Sequence, residues 1–311
     1  MLKKSIGIHH ITAIVGNPQE NIDFYTHVLG LRLVKKTVNF DDPYTYHLYF
    51  GDKEGKPGTT ITFFPWSKSR KGTIGGGQVS ITSYVVPVGA MDFWTNRLEE
   101  FNIPYVKNQR FGEEYIQFQD PHGLQLEIVS REEGEKNDWE YAGITSNEAI
   151  KGFGGATLLS LFPEKTSYLL ENVLGLKKIG KELDVIRYKS VGSIGNVIDL
   201  KTTPVGVGHM GIGTVHHIAL RAKDDEDQLE WINILEDYRY YVSPIRDRNY
   251  FKSIYFREKG GNLFEIATDE PGFTIDEPLD QLGQSLKLPP QYEANREDIE
   301  KGLMPVKVKE F

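Results

Sequence analysis

The chain has 311 residues, 39% of them hydrophobic and 26% charged, with no cysteine and a formal net charge of −8. That is enough chain for one large or two ordinary domains, in the proportions of a globular rather than a disordered protein. The composition excludes disulfides, thiolate metal sites and cysteine nucleophiles, and it argues against nucleic-acid binding, which needs clustered Lys and Arg.

No apolar run approaches the ~20 residues that span a bilayer. Met1 to Ser5 carries charge with no apolar stretch behind it to act as a signal peptide, so a cytoplasmic location is expected. The short basic cluster from Lys68 to Lys71 reads as a solvated loop.

Along the chain the pattern repeats. A first unit, about 6–66, opens on the β-rich run Ile8-His9-His10-Ile11-Thr12. Asn17 is placed to cap a helix with Pro18 at its first position, and the helix runs Gln19–Leu29 with Ile22, Tyr25 and Leu29 on one face and Gly30 past its end. Three short strands follow, Arg32–Asn39, Thr45–Phe50 and Thr59–Phe64.

A second unit, about 78–130, offers a helix over Met91–Phe101 with Phe93, Trp94 and Leu98 for the core. A third, about 152–202, offers Lys165–Leu174. A fourth, about 212–269, opens on Val215-His216-His217-Ile218. Its helix spans Asp227–Glu236 with Leu229, Ile232 and Leu235 inward, followed by strands over Tyr241–Pro244, Lys252–Phe256 and Asn262–Thr268.

The echo of Val28-Leu29-Gly30-Leu31 in Val173-Leu174-Gly175-Leu176, and of Glu127-Ile128 in Glu265-Ile266, marks these as copies of one βαβββ unit. The expected fold is α+β: four βαβββ modules paired into two curved-sheet, barrel-like domains. By chain order these are 6–130 for modules one and two and 152–269 for modules three and four. Each curved sheet needs a partner to bury its apolar face and leaves a cavity between the sheets. Residues 270–311 form a proline-punctuated tail with a short helix at Asn295–Leu303 and no chemistry legible in its composition.

Four of the eight histidines fall in two His-His pairs at matched repeat positions. Neighbouring residues on a regular strand point to opposite faces, so one histidine of each pair faces the cavity, and alternation alone leaves open which. Glu265 is a carboxylate inside an apolar strand, where ionisation is costly unless it is paired or bound to metal. Two histidines and one carboxylate with open coordination positions form the facial set of non-haem Fe(II) oxygenases, and the same donors also accept Mn, Zn, Ni or Co. Glu127 and Asp199 stand at the position of Glu265 in units that lack the histidines, and are read as structural.

These features resemble the vicinal-oxygen-chelate superfamily of glyoxalase I, antibiotic-resistance proteins and extradiol dioxygenases. Within it the chain is similar to ring-cleaving dioxygenases acting on hydroquinones. The shared motifs are Asn21-Ile-Asp-Phe-Tyr25 running to Leu31, Leu33-Val-Lys-Lys-Thr37, Tyr46-His-Leu-Tyr-Phe50, Pro57-Gly-Thr59, Gly260-Gly261 before Phe264-Glu265, and Gly272-Phe273-Thr274 in the tail.

The resemblance implies Fe(II) held by His10, His217 and Glu265, with Tyr255, Arg248, Thr12, His9 and His216 around it. It implies a small aromatic substrate and O2 as partners; charge and the lack of an apolar span argue against nucleic acid and membrane, and a homo-oligomer is compatible with the sequence. In this scheme Tyr255 donates a hydrogen bond or proton to a substrate oxygen and Arg248 stabilises developing negative charge. Two rivals share the scaffold: a glyoxalase-like isomerase or thiol transferase with a Lewis-acid metal, and a metal-free small-molecule-binding resistance protein.

Overall fold

In the computed structural model, which describes residues 2–308, each expected unit folds as a strand, a helix and a three-stranded meander. The first unit comprises β1 (Ile8–Val15), α1 (Pro18–Asp23), β2 (Arg32–Asn39), β3 (Asp42–Gly51) and β4 (Thr60–Pro65). The second comprises β5 (Gln78–Val86), α2 (Met91–Glu100), β6 (Tyr105–Arg110), β7 (Glu113–Gln119) and β8 (Gln125–Ser130). The third comprises β9 (Gly152–Leu159), α3 (Pro163–Tyr168), β10 (Lys177–Glu182), β11 (Val185–Lys189) and β12 (Val197–Lys201). The fourth comprises β13 (Thr214–Ala222), α4 (Asp225–Asp237), β14 (Arg246–Asp247), β15 (Phe251–Arg257) and β16 (Leu263–Pro271). A last short helix, α5, covers Arg296–Gly302.

Local chemistry explains the helix ends. The Asn17 side chain accepts from the amides of Gln19 and Glu20, with Pro18 in the first turn. α1 and α3 each run on into one π-helical turn, Phe24–Val28 and Leu169–Val173, and each is closed by a glycine in the left-handed region, Gly30 (φ 67°) and Gly175 (φ 68°). A Cβ on Gly175 would meet the Lys3 carbonyl at 2.2 Å, which leaves no room for a side chain, and one on Gly30 would meet Ile144 Cδ1 at 2.4 Å and push that side chain aside.

In α4 the buried face is Gln228, Trp231 and Leu235, while Leu229 is 49% exposed. The anchor is polar: the Gln228 amide donates to the carbonyls of Lys252 and Ile266, which turns the helix away from the face expected from its aliphatic residues. The strand expected at Tyr241–Pro244 shrinks to a single bridge between Val242 and Phe256, because Pro244 has no N–H to continue a ladder.

The strands form two eight-stranded curved sheets. One runs β14-β15-β16-β13-β1-β4-β3-β2, the other β10-β11-β12-β9-β5-β8-β7-β6. The sheets therefore do not follow the chain-order grouping 6–130 and 152–269. The first unit shares its sheet with the fourth, joined by antiparallel β1 and β13, and the second shares its sheet with the third, joined by β5 and β9. The pairings join opening strands about 200 residues apart in the first sheet and about 75 in the second, which no local pattern encodes.

Both central strands of the first sheet are largely buried, and aromatic rings fill the unit cores: Tyr25 against Phe50 and Phe63, and Phe256 stacked on Phe264. The tail is tied down. Lys35, fully buried on β2, pairs with Asp276 and Glu277, both at 2.5 Å, and Leu282, Leu288, Ile299 and Leu303 are buried. Among the described residues no helix is long and apolar enough to cross a membrane.

Candidate metal centre

The β1–β13 junction carries both His-His pairs, and its ladder is irregular at each. On β1, His9 is the extra residue of a register shift between Ile8 and His10. On β13, His216 is the extra residue opposite the step from Thr12 to Ala13. A bulge re-aims the side chain it carries. On β13 this corrects the expectation that only one histidine of the pair faces the site, whereas on β1 the expectation holds, with His10 lining the cavity and His9 behind it. The two rings of each pair meet edge-to-face at 5.1 Å, and both His216 and His217 line the cavity.

Three side chains from different strands converge on one point. His10 Nε2 lies 3.2 Å from His217 Nε2 and 3.4 Å from Glu265 Oε2, and His217 Nε2 lies 2.8 Å from the same oxygen. Among the described residues this is one group of His, Asp and Glu close enough to share a metal ion, with its donor atoms all within 4.8 Å of one another. Glu265 is fully buried. Its Oε1 accepts from Ser253 Oγ at 2.5 Å, while Oε2 has no hydrogen-bond donor besides what the two imidazoles offer. Burial opposes ionisation, but a proton shared with His10 or His217, or a cation in its place, outweighs it and holds this carboxyl well below the usual carboxylate range.

The outer nitrogens are arranged to suit. His10 Nδ1 lies 2.9 Å from His9 Nδ1, and His9 Nε2 lies 3.1 Å from the Thr268 carbonyl. A carbonyl only accepts, so His9 carries its proton on Nε2 and accepts at Nδ1. His10 then carries its proton on Nδ1 and turns a bare Nε2 to the centre. His217 Nδ1 meets His216 Nδ1 at 2.8 Å, and with its proton on Nδ1 His217 likewise turns a bare Nε2 to the centre. Burial and the neighbouring imidazole lower His9 strongly and His216 to about 3, so both are neutral near pH 7. Two unprotonated imidazole nitrogens and a carboxylate with a vacant oxygen fit a divalent cation of borderline hardness.

The centre lies in the wall of a cavity of about 420 Å³. Phe64 and Trp66, stacked with centroids 5.4 Å apart, form one side, and Phe251, Tyr49 and His47 also contribute. Tyr255 lines the cavity from β15, directly across the ladder from Glu265, with burial and that carboxylate raising its phenol. Arg248 lines it too, its guanidinium 5.8 Å over the Tyr255 ring and 3.5 Å from Asp41.

The structure thus brings His10, His217, Glu265, His216, Tyr255 and Arg248 to one cavity. Thr12 and His9 stand behind it. Thr12 is fully buried and bonded to Thr62 at 2.7 Å, and His9 is bonded to His10. Sequence reasoning passed over Ser253, which orients Glu265, and His47 and Tyr49, whose only signal was their place in the motif from Tyr46 to Phe50.

The second sheet carries no such centre among the described residues. Glu127 and Asp199 are paired with Arg110 (2.8 and 2.9 Å), and Asp199 also with Arg187 at 2.8 Å. The guanidinium groups fill that concavity, leaving about 10 Å³.

Comparison with known proteins gives the chain a family. Residues 7–128 and 163–266 match the Glyoxalase/Bleomycin resistance protein/Dioxygenase superfamily. The chain is 66% identical over 311 residues to the Bacillus subtilis (strain 168) protein provisionally named ring-cleaving dioxygenase MhqO, covering 100% of both. It is 34% identical over 303 residues to the chlorohydroquinone/hydroquinone 1,2-dioxygenase of Sphingobium indicum, covering 94% of each. Among solved structures, a Bacillus subtilis protein provisionally called a dioxygenase superposes with a TM-score of 0.98 at 65% identity, over 99% of this chain and 100% of that one. Maize glyoxalase I shares the fold at 14% identity, with a TM-score of 0.61 over 85% of this chain and 92% of that one.

Proposed function

Since the chain belongs to the Glyoxalase/Bleomycin resistance protein/Dioxygenase superfamily, we propose that it is a ring-cleaving dioxygenase of the extradiol type, acting with O2 on a hydroquinone- or catechol-type aromatic. His10, His217 and Glu265 are its metal ligands in this reading, and Fe(II) is the metal. The observation that carries the reading is the convergence of three buried donors, from β1, β13 and β16, on the wall of an aromatic-lined cavity. The names of the Bacillus and Sphingobium relatives support it.

When bound, a redox-active divalent metal there supplies acidity to a coordinated hydroxyl and a meeting point for substrate and O2. The chain's own residues do the rest. Phe64, Trp66 and Phe251 give the ring an apolar seat that keeps water away. Tyr255 stays a neutral phenol and offers its proton to a ring oxygen. Arg248, over the Tyr255 ring, places a fixed positive charge where negative charge develops on that oxygen. His217, donating from Nδ1, leaves His216 with its proton on Nε2 at the cavity wall.

The test is O2 uptake by anaerobically Fe(II)-loaded protein given a panel of hydroquinones and catechols, with His217→Ala as control. Uptake that needs both a diol and His217 supports the reading. Metal-loaded protein that consumes no O2 with any diol overturns it in favour of an isomerase or thiol transferase on the same scaffold.

A further inference from the structure

The motif Tyr46-His47-Leu48-Tyr49-Phe50 has no part in the scheme above, and the strand register supplies one. β1 and β13 run antiparallel, with Thr12 opposite His217 and His10 opposite Ala219, so the first and fourth units are related by a pseudo-twofold axis. Thr12 lies beside Thr62 on β4 as Ala219 lies beside Glu265 on β16. Tyr49 faces Thr62 across β3 and β4 as Tyr255 faces Glu265 across β15 and β16. Tyr49 is therefore the first unit's counterpart of Tyr255. Thr62 stands where the fourth unit has its carboxylate, and His47 stands where it has Ser253.

The hydrogen bonds follow the same symmetry and then extend it. Ser253 bonds Glu265, and His47 Nε2 bonds Thr62 Oγ1 at 2.8 Å. His47 Nδ1 bonds the Tyr49 hydroxyl at 2.8 Å, and Thr62 Oγ1 bonds Thr12 Oγ1 at 2.7 Å. All four side chains are buried, and His47 and Tyr49 line the cavity. Both ring nitrogens of His47 are thus committed within the chain, and burial keeps the imidazole neutral. A tyrosine hydroxyl has one donor and two acceptor positions, and this chain uses one of them. Whichever way the protons run, Tyr49 keeps a hydrogen-bonding position for a group in the cavity.

We propose that Tyr49 is a second substrate-contacting phenol of this cavity and that His47 is its positioning residue, held in turn by Thr62 and Thr12. The proposal deepens the reading in the preceding section and rests on it. The preferred ring carries two oxygens, one met from the Tyr255 and Arg248 side and the other by Tyr49. A ring with a second oxygen gains the Tyr49 hydrogen bond that a ring with one oxygen cannot make, so the site selects the former.

The experiment is anaerobic calorimetric titration of the Fe(II)-loaded protein with hydroquinone and with phenol, which reads binding without turnover. Tyr49→Phe is expected to weaken hydroquinone about 10-fold and phenol less than about twofold, the size of one lost hydrogen bond. His47→Phe is expected to weaken hydroquinone to a similar degree, and to add nothing in the Tyr49→Phe background, because it acts through Tyr49. His47→Gln, which keeps a donor and an acceptor, is expected to retain most of the affinity and replaces His47→Phe in the cycle if that variant does not fold. Hydroquinone binding unchanged by Tyr49→Phe, or a His47 effect that adds in full to it, overturns the proposal. Failure of the unmodified protein to bind any diol overturns the diol reading itself, and this inference with it.

Discussion

His10 Nε2 and His217 Nε2 face each other at 3.2 Å, with Glu265 Oε2 completing the triangle. Because each ring's Nδ1 is turned to a neighbouring imidazole, the arrangement aims lone pairs at one point. A cation there relieves the repulsion. Divalent metal at a hundredfold excess over its Kd should therefore raise the melting temperature by on the order of 5 °C, the consequence of about 2.7 kcal/mol of linkage. Differential scanning calorimetry with and without a chelator measures it, and Glu265→Ala should abolish the shift.

His9 sits behind the centre but fixes the tautomer of His10 through the Nδ1 contact and its own bond to the Thr268 carbonyl. His9→Phe should leave the fold intact and weaken metal binding by about 10- to 100-fold, as loss of an orienting partner does. Competition with a chromogenic chelator reads this directly. Unchanged affinity would place His9 in packing alone.

In the second sheet, Arg187 bridges Asp199 and Glu113 where the first sheet has its open centre. Arg187→Met leaves Asp199, nearly fully buried, with one cationic partner fewer, and should cost about 3–5 kcal/mol in urea unfolding. Turnover per folded molecule should not change.

The same network sets an acid limit. Burial disfavours ionised Glu113, but Arg131 and Arg187 prevail and hold its carboxyl below the usual range. A depressed folded value means that stability is present above the unfolded pKa, about 4.3, and is lost as pH falls through the folded value. Stability should therefore decline below about pH 4, and Glu113→Gln should lower the plateau above pH 5 while flattening that decline. A variant with the unmodified acid profile would contradict this.

Lys35, fully buried, is held by Asp276 and Glu277 of the tail. Lys35→Met should loosen residues 272–308 before the sheets unfold, seen as faster amide exchange confined to the tail and to its contact strand β2.

Much of this was legible in the chain. Apolar runs, capping residues such as Asn17 and the paired Val-Leu-Gly-Leu closures mark the four units, because these signals are local. The matched His-His pairs and the carboxylate of Glu265 in an apolar strand pointed to the centre for the same reason. The joining of unit one to unit four was not legible in any local pattern, since β1 and β13 meet only after the whole chain has folded; only the family resemblance, which put His10 and His217 on one metal, implied it. Nor were the bulges at His9 and His216. A bulge breaks the twofold alternation without any residue type announcing it, so strict alternation mispredicted where the His216 ring points. Tyr49 and His47 read as ordinary strand residues until the register set Tyr49 opposite Thr62 as Tyr255 is set opposite Glu265.

The most direct test of the central claim is the fate of molecular oxygen. Fe(II)-loaded protein should be turned over with a hydroquinone under 18O2 and the product examined by mass spectrometry. An opened ring carrying both atoms of one O2 molecule is expected, and no such product from Glu265→Ala. An intact ring, or a ring-opened product without label retained under conditions that prevent exchange, would contradict it.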